Sequence, residues 1–498
     1  MTNMELASQI LEVAAHSGVR EIVLCSGARN APLVTLLSRP TPFKVYPFFE
    51  ERSAGFFALG RIQATGRPVG VITTSGTAAA ELLPAVVEAH YQGLPLILIT
   101  ADRPRHHRGS GSPQAIEQVG LYSHYVEETW DVENGAIEAL TWSQRRPVHL
   151  NVCFAEPLID GPTRVLKGGD MKPDVMVRPV PCVPLTFSKP LVIVGGLPHH
   201  QQNEVLSKLC QWGRPVYCEA HSGLRGHPGL KGIAILGGEK GLGALDYDGI
   251  IRIGSVPTLR LWRDLETAHC PVVHFSHLPF AGLPRAPEVF PLEALGEANF
   301  EEWSGEECAR DRALGLRLQA WLDEFPLSEP AWVREVSRWI PAEARVFLGN
   351  SLPIREWDLA AEKGHAIFAN RGANGIDGQI STFLGVASPG HSNWAVLGDL
   401  TVLYDLSGLW AARQTGVEDL HIVILNNGGG KIFERMFHNP LFENEHALHF
   451  GDWAKMWGWN YQLLERGGPC QVAAPRVIEI LPDRNQTQKF WQAWEEQA

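Results

Sequence analysis

The stretch AVLGDLTVLYDLSGLWAARQTGVEDLHIVILNNGGGKIF, residues 395–433, holds two apolar runs that each stop on a polar oxygen beside glycine: Gly398-Asp399 closes the first, Asn426-Asn427 the second. Apolar runs of this length, separated by a helix-length segment, are the pattern of buried parallel strands joined by a crossover helix. Residues just past the carboxyl ends of such strands lie where open α/β sheets bind ligands. Asp399 offers a carboxylate and Asn427 a side-chain carbonyl, and the glycines after it leave a backbone carbonyl free to turn inward. Hard oxygen ligands suit Mg²⁺ or Ca²⁺, and Mg²⁺ usually takes one or two protein oxygens together with phosphate oxygens. The segment TVLYDLSGLWAARQ after Asp399 has apolar residues at helical spacing, so a helix N-terminus there would favour a phosphate. Taken singly, Asp399 also reads as a helix N-cap and Asn426-Asn427 as a turn. The pair at this spacing, with GGG following, favours the cation site.

The same pattern runs outward in both directions. From 1 to 165, EIVLCSG (21–27), VGVITTSG (69–76), LPLILITADRP (94–104) and PVHLNVCF (147–154) alternate with helical patterns and end in Gly, Ser or Asp or just beyond them. A proline-rich segment, 166–185, reads as a linker. A second unit, 186–328, carries PLVIVGG, PVYCEA, GIIRIGS and PVVHFS, with fewer polar strand ends. A third, 329–498, adds ARVFLGNS, AIFANRG, WAVLGDL, HIVILNNGG and PRVIEIL, and the polar ends return. The expected fold is α/β, with three doubly wound parallel-sheet domains, the first and third sharing a general plan. A chain of 498 residues agrees with about three domains at roughly 150 residues each.

Composition narrows the partners. A formal charge of −12 argues against nucleic acid or an anionic membrane. No apolar run approaches the ~18 residues of a membrane span. Eight cysteines without a CxxC pair, behind an N-terminus with no secretory signal, point to reduced thiols in a cytoplasm.

The Gly-Asp start and Asn-Asn end resemble the diphosphate and metal motif of thiamin-diphosphate enzymes. Those enzymes usually have glycine after the aspartate, and this chain has Leu400. GDL…YDL followed by NNGG.IF is similar to one branch, the synthases that make 2-succinyl-5-enolpyruvyl-6-hydroxy-3-cyclohexene-1-carboxylate in menaquinone biosynthesis. The resemblance implies thiamin diphosphate and Mg²⁺ (or Mn²⁺) as cofactors, with Asp399, Asn427 and the backbone carbonyl of Gly429 as metal ligands. It assigns Glu51, in YPFFEERSAGFFALG, the carboxyl group that hydrogen-bonds the aminopyrimidine ring, with Glu50 pointing elsewhere. Cofactor contacts are further implied for Thr74, Ser75 and Gly76 of TTSGTAAAELL, for Leu400, Ile432 and Phe433, and for Ile376 of NRGANGIDG as an apolar wedge.

The implied substrates, 2-oxoglutarate and isochorismate, each carry two carboxylates, and arginine grips carboxylate bidentately. Arg29, Arg103, Arg355 and Arg371 follow predicted strands, and with Gln114 and Ser351 they resemble the family's substrate positions; Arg260 of the middle unit is a looser match. Ala28 stands where the family has a serine, and Pro113 where an asparagine precedes the glutamine, which removes an amide and a backbone donor. The chain is somewhat short for the family, so trimmed loops are expected. In the family Glu51 of one subunit and Asp399 of another complete each site, which implies a homodimer or homotetramer. The implied activity is decarboxylation of 2-oxoglutarate and Stetter-like 1,4-addition of the succinyl-semialdehyde carbanion to isochorismate. Its rivals are another thiamin-dependent 2-oxo-acid decarboxylase or carboligase, and a binding homologue that has lost the chemistry.

Other signals carry less. IVGGLPHH (193–200) and GLGALD (241–246) lack the third glycine of a dinucleotide fingerprint. RPRHHRG (103–109) has no carboxylate or cysteine at ligand spacing and reads as an anion-facing loop beside Arg103. The tryptophans of WGWNYQ and FWQAWEEQ read as packing.

Overall fold

Short runs of aliphatic and β-branched residues, each followed by a helix, can bury both faces only as parallel strands in a covered sheet. The computed structural model describes residues 1–497 apart from 136, 138, 164–165, 167–179, 244, 438 and 469, so most of the linker expected over 166–185 lies outside the described residues. The first sheet contains β1 (Glu21–Cys25), β2 (Lys44–Phe48), β3 (Val69–Thr73), β4 (Leu96–Asp102), β5 (Thr129–Val132) and β6 (Val148–Cys153). Its order is β2-β1-β3-β4-β6-β5 and every pairing is parallel. β3, β4 and β6 are buried along their whole length.

The middle sheet is built from β7 (Pro190–Val194), β8 (Val216–Cys218), β9 (Gly249–Ile253), β10 (Val272–Phe275) and β11 (Val289–Phe290), ordered β11-β10-β9-β7-β8. At its switch point the turns after β7 and β9 meet backbone to backbone. A Cβ on Gly195 would lie 2.4 Å from Ser255 O, and one on Gly254 2.5 Å from Gly196 O. The turn that invites a dinucleotide reading is therefore packed against its neighbour.

The third sheet holds β12 (Arg345–Leu348), β13 (Ala366–Phe368), β14 (Asn393–Gly398), β15 (Leu420–Leu425), β16 (Asn460–Leu464) and β17 (Arg476–Ile480), ordered β13-β12-β14-β15-β17-β16. Counted from its own first strand it repeats the order of the first sheet, second-first-third-fourth-sixth-fifth. In both, the first and third strands are neighbours while the second lies on the far side of the first. The switch points fall between β1 and β3 and between β12 and β14, where α/β sheets take ligands.

By contacts the chain forms two compact units. One comprises 1–176, 370–390 and 401–418; the other comprises 177–369, 391–400 and 419–498. Within the first, helix Glu51–Thr65 packs on helix Gln379–Val386 through two glycines. A Cβ on Gly60 would lie 2.1 Å from Thr382 O, and one on Gly385 2.3 Å from Phe57 O. Arg61 fastens the contact, donating to Gly385 O at 3.1 Å and to both Glu21 carboxylate oxygens at 2.7 and 2.8 Å. Among the described residues no helix is long and apolar enough to cross a membrane, and the eight cysteines are free thiols.

Because backbone meets backbone at Gly60, Gly60→Ala should force the two helices apart and cost about 1–3 kcal/mol. Gly120→Ala, with nothing within 4 Å, should stay within about 0.5 kcal/mol of the parent. Denaturant melts of the two variants check the difference.

Candidate active site

Gly398 pairs with Leu425 in the register of β14 and β15, so Asp399 and Asn426-Asn427 leave neighbouring strands at the same level. The helix Asp399–Tyr404 begins on the aspartate and runs only six residues before a 3-10 turn, Leu406–Ala411. Asp399 is 2% exposed, and its carboxylate is held by backbone N–H groups: Leu400 at 2.6 Å, Gly428 at 2.9 Å and Gly429 at 2.9 Å. Burial pushes its pKa up, and those donors with His446, 3.4 Å away, pull against the rise. The cradle needs glycine. Gly428 and Gly429 have φ of +78° and +140°, and a Cβ on Gly429 would lie 2.5 Å from Glu443 O. The Gly429 carbonyl accepts from Lys431 N at 3.0 Å and keeps a second lone pair.

The two asparagines differ. Asn426 is spent on structure: its amide donates to Glu479 at 2.7 Å and to Leu448 O at 2.9 Å, and its oxygen accepts from Gly428 N at 3.2 Å. Asn427 donates to both oxygens of Glu329 at 3.0 Å, and its Oδ1 is buried with no partner among the described residues. Burial lifts the Glu329 carboxyl to about 7, with the Asn427 amide opposing and the Asp399 charge adding to the rise. Ile432 and Phe433 follow in the turn Lys431–Phe433, and Phe433 is 38% exposed. No group of three or more His, Cys, Asp or Glu side chains among the described residues could hold a metal. The oxygens available to a cation here are one carboxylate, one amide and one backbone carbonyl, a set that suits Mg²⁺ only when phosphate oxygens complete it.

Past the end of β2, Glu50 and Glu51 differ in their contacts. Glu50 is the N-cap of helix Glu51–Thr65, accepting from Arg52 N and Ser53 N at 3.0 Å each. Its carboxylate also meets the hydroxyls of Ser53 and Ser407, and Ser53 reaches Asp405 at 3.3 Å. Asp405 is fully buried, accepts from Ser381 N at 2.8 Å, and is pushed by burial to about 6. Glu51 is left half-buried at the helix start. Its pKa is raised by burial and then by the charges of Glu50 and Glu81. The Cys25 thiol at the end of β1 is itself pushed up by burial, and further by the charges of Glu51 and Glu50.

Thr74, Ser75 and Gly76 follow β3. Thr74 packs on Gly27, where a Cβ would lie 2.6 Å from Thr74 Cβ, and its hydroxyl is buried without a partner among the described residues. Gly76, at φ +84°, donates to Gln118 Oε1 at 2.8 Å and lies against Gln114, whose own φ is +57°. Arg103 Nε donates to Pro113 O at 2.9 Å, so the departure at 113 still supplies the carbonyl that holds Arg103. Arg29 donates to Phe154 O at 2.9 Å and lies 3.2 Å from Glu156. The RPRHHRG loop is pinned from the side: Arg105 and Arg108 bond Asp131 at 2.8 and 2.6 Å, so these cations are neutralised by a carboxylate.

Arg371 and Ile376 lie in a loop of the same unit, anchored by a residue that sequence reasoning missed. Glu88, on helix Leu83–Gln92, is 3% exposed and accepts from Gly372 N and Ala373 N at 2.7 Å each. The charge of Arg371 and these donors oppose the upward push of burial on its pKa. A cavity of about 320 Å³ opens beside it, lined by Phe56, Val87, Glu88, Asn370 and Asp377 among others. In the other unit, Ser351 follows β12 with φ +72°, a strained value for a serine. Arg355 donates to Thr258 O at 3.1 Å, which ties it to the segment that carries Arg260. Arg260 itself is 79% exposed and 3.8 Å from Asp264. Of these residues, Glu329 had a signal in the sequence, a Ser-Glu-Pro helix start, while Glu88 on its helix and Gln118 in an irregular segment had none.

The residues fit a phosphate-bearing cofactor with a cation: an orphaned amide oxygen near a buried carboxylate at the ends of β14 and β15, and an orphaned hydroxyl just past β3. Residues 4–121 match the family described as thiamine pyrophosphate enzyme, N-terminal TPP binding domain. Over the full length, the chain is similar to proteins named 2-succinyl-5-enolpyruvyl-6-hydroxy-3-cyclohexene-1-carboxylate synthase. The Bdellovibrio bacteriovorus protein is 46% identical across 99% of both chains. The Akkermansia muciniphila protein is 36% identical over 97% of this chain and 96% of its own. The Roseiflexus protein is 33% identical with the same coverage.

Glu50→Ala should remove a helix cap and cost about 0.5–2 kcal/mol. Glu51→Gln should not. The folded pKa of Glu51 lies above the unfolded value, so the stability it contributes when protonated is lost as pH rises through the folded pKa. The melting temperature of Glu51→Gln relative to the parent should therefore climb as pH is raised from the ordinary carboxylate range, near pH ~4.3, toward neutrality. A flat difference would contradict this reading of the site.

Proposed function

The chain belongs to the 2-succinyl-5-enolpyruvyl-6-hydroxy-3-cyclohexene-1-carboxylate synthase family of thiamin-diphosphate-dependent enzymes, and from that premise we propose that it decarboxylates 2-oxoglutarate and adds the four-carbon unit to isochorismate in menaquinone biosynthesis. The observation that carries the reading is the pair of neighbouring strand ends, where Asp399 is buried among N–H donors beside an Asn427 oxygen that has no partner among the described residues.

Thiamin diphosphate, when bound, supplies an acidic C–H and a cationic ring that accepts the electron pair left as CO2 departs. Asp399, Asn427 Oδ1 and the Gly429 carbonyl would hold Mg²⁺ or Mn²⁺ against the diphosphate. Leu400, Ile432 and Phe433 would line that end, and Thr74, Ser75, Gly76 and Ile376 the ring. Glu51 would hydrogen-bond a ring nitrogen of the aminopyrimidine and hold the proton there. A raised pKa suits that role, since a carboxyl that keeps its proton closer to neutrality can share it with a weak base. Arg29, Arg103, Arg355, Arg371 and Arg260 would grip the substrate carboxylates, with Gln114 and Ser351 as neutral donors. Glu51 of one subunit and Asp399 of a second would complete each site in a homodimer or homotetramer. Free thiols throughout support a cytoplasmic setting.

The test incubates purified protein with thiamin diphosphate, Mg²⁺ and 2-oxoglutarate, with and without isochorismate, and follows CO2 release and isochorismate loss. Consumption that needs both substrates, and that Glu51→Gln abolishes, is the expected result. Cofactor binding with no isochorismate loss would contradict it and direct attention to other 2-oxo acids, starting from Ala28 and Pro113.

A further inference from the structure

We propose that Glu329 is the positioning residue that decides which end of the Asn427 amide faces the cation, an inference that rests on the cofactor reading above. The two ends of a side-chain amide are nearly identical in shape and opposite in polarity. Turned one way, Asn427 presents an oxygen to a cation. Turned the other way, it presents an NH2 group that repels one. The strand end alone does not choose between them.

Glu329 does. It is the first residue of helix Glu329–Trp339, which Ser328 caps, and its own N–H donates to Thr487 Oγ1 at 3.0 Å. The side chain is 2% exposed, so no water shell competes for it. Both carboxylate oxygens stand 3.0 Å from Asn427 Nδ2. Both oxygens lie where they accept from the NH2 end, so that end faces Glu329 and Oδ1 faces away. That oxygen is the one that is buried without a partner among the described residues. The neighbouring asparagine follows the same rule with a different outcome. Glu479, fully buried, takes the Asn426 amide at 2.7 Å, and the Asn426 oxygen is turned back onto Gly428 N. Each asparagine of the pair is oriented by its own buried glutamate, and only Asn427 is left with an oxygen to offer. Outer partners that orient a ligand in this way typically contribute about 10- to 100-fold to metal affinity.

The test measures binding of Mg²⁺ with thiamin diphosphate by calorimetry, and the melting temperature without either, for the parent, Glu329→Gln, Asn427→Asp and the double variant. Glutamine keeps the shape of Glu329 but can donate as well as accept, so it no longer fixes the amide. Glu329→Gln should weaken metal affinity about 10-fold or more while the metal-free protein melts near the parent temperature. Asn427→Asp presents oxygen whichever way it turns, so adding Glu329→Gln to it should cause no further loss. Parental affinity in Glu329→Gln, or an equal loss when Glu329→Gln is added to Asn427→Asp, would overturn the proposal. Failure of Glu329→Gln to fold would overturn it too, by assigning Glu329 a purely structural role. A parent protein that binds neither Mg²⁺ nor thiamin diphosphate would instead bring down the cofactor reading itself.

Discussion

A carboxylate buried at the end of a parallel strand is the constraint on which the site depends. Removing Asp399 from water is costly unless donors replace the water, and the turn after β15 supplies them through Gly428 and Gly429. The same turn must then bend through dihedral angles that only glycine adopts readily, and the close approach of Glu443 O to Gly429 leaves no room for a Cβ. In-register pairing of β14 and β15 brings the carboxylate and the turn to one level. Sequence, register and charge are thus linked: a slip of one residue along β15 would move the donors away from the acid they stabilise.

Around that centre, buried and half-buried glutamates and aspartates act as organisers of backbone. Glu50 caps the helix that begins with Glu51, Asp405 ties Ser381 to Ser53, Glu88 holds the loop of Arg371 and Ile376, and Glu329 and Glu479 orient the two asparagines. Most accept from groups brought from distant sequence. A carboxylate can take several N–H donors at once, which makes it well suited to fix a loop that has no regular structure of its own. The reacting groups of the proposed mechanism are few, and the acids that hold them in place are more numerous.

How much of this could be read from the sequence follows from the same physics. The central strands were legible because burial on both faces demands an unbroken apolar run, as in LILITAD of β4 and HIVIL of β15. Some edge strands were not, although VYC of β8 and AIF of β13 lay within runs read as strands. β2 reads KVYPF with alternating burial and a proline, and β16, NYQLL, is largely half-exposed, so neither gives an apolar run. The polar strand ends Asp399, Asn427, Thr74 and Ser351 stood out because the run stops on them. The organising acids did not, since a glutamate on a helix reads as a solvated face until its partner is known. The partner of Glu88 lies 284 positions away, at Gly372. Nor does any local pattern signal that 370–390 and 401–418 pack with the first 176 residues. The shared strand order of the first and third sheets was visible only as a general plan, because both edge strands must be located before the order can be written.

The central claim is that two neighbouring strand ends hold one cation against a diphosphate. The most direct measurement is a crystal structure grown with thiamin diphosphate and Mn²⁺, with the metal located from its anomalous signal. The account predicts a single peak bonded to Asp399, to Asn427 Oδ1 and to the Gly429 carbonyl, with diphosphate oxygens completing its shell. A peak bonded to neither Asp399 nor Asn427, or a diphosphate bound away from the ends of β14 and β15, would contradict it.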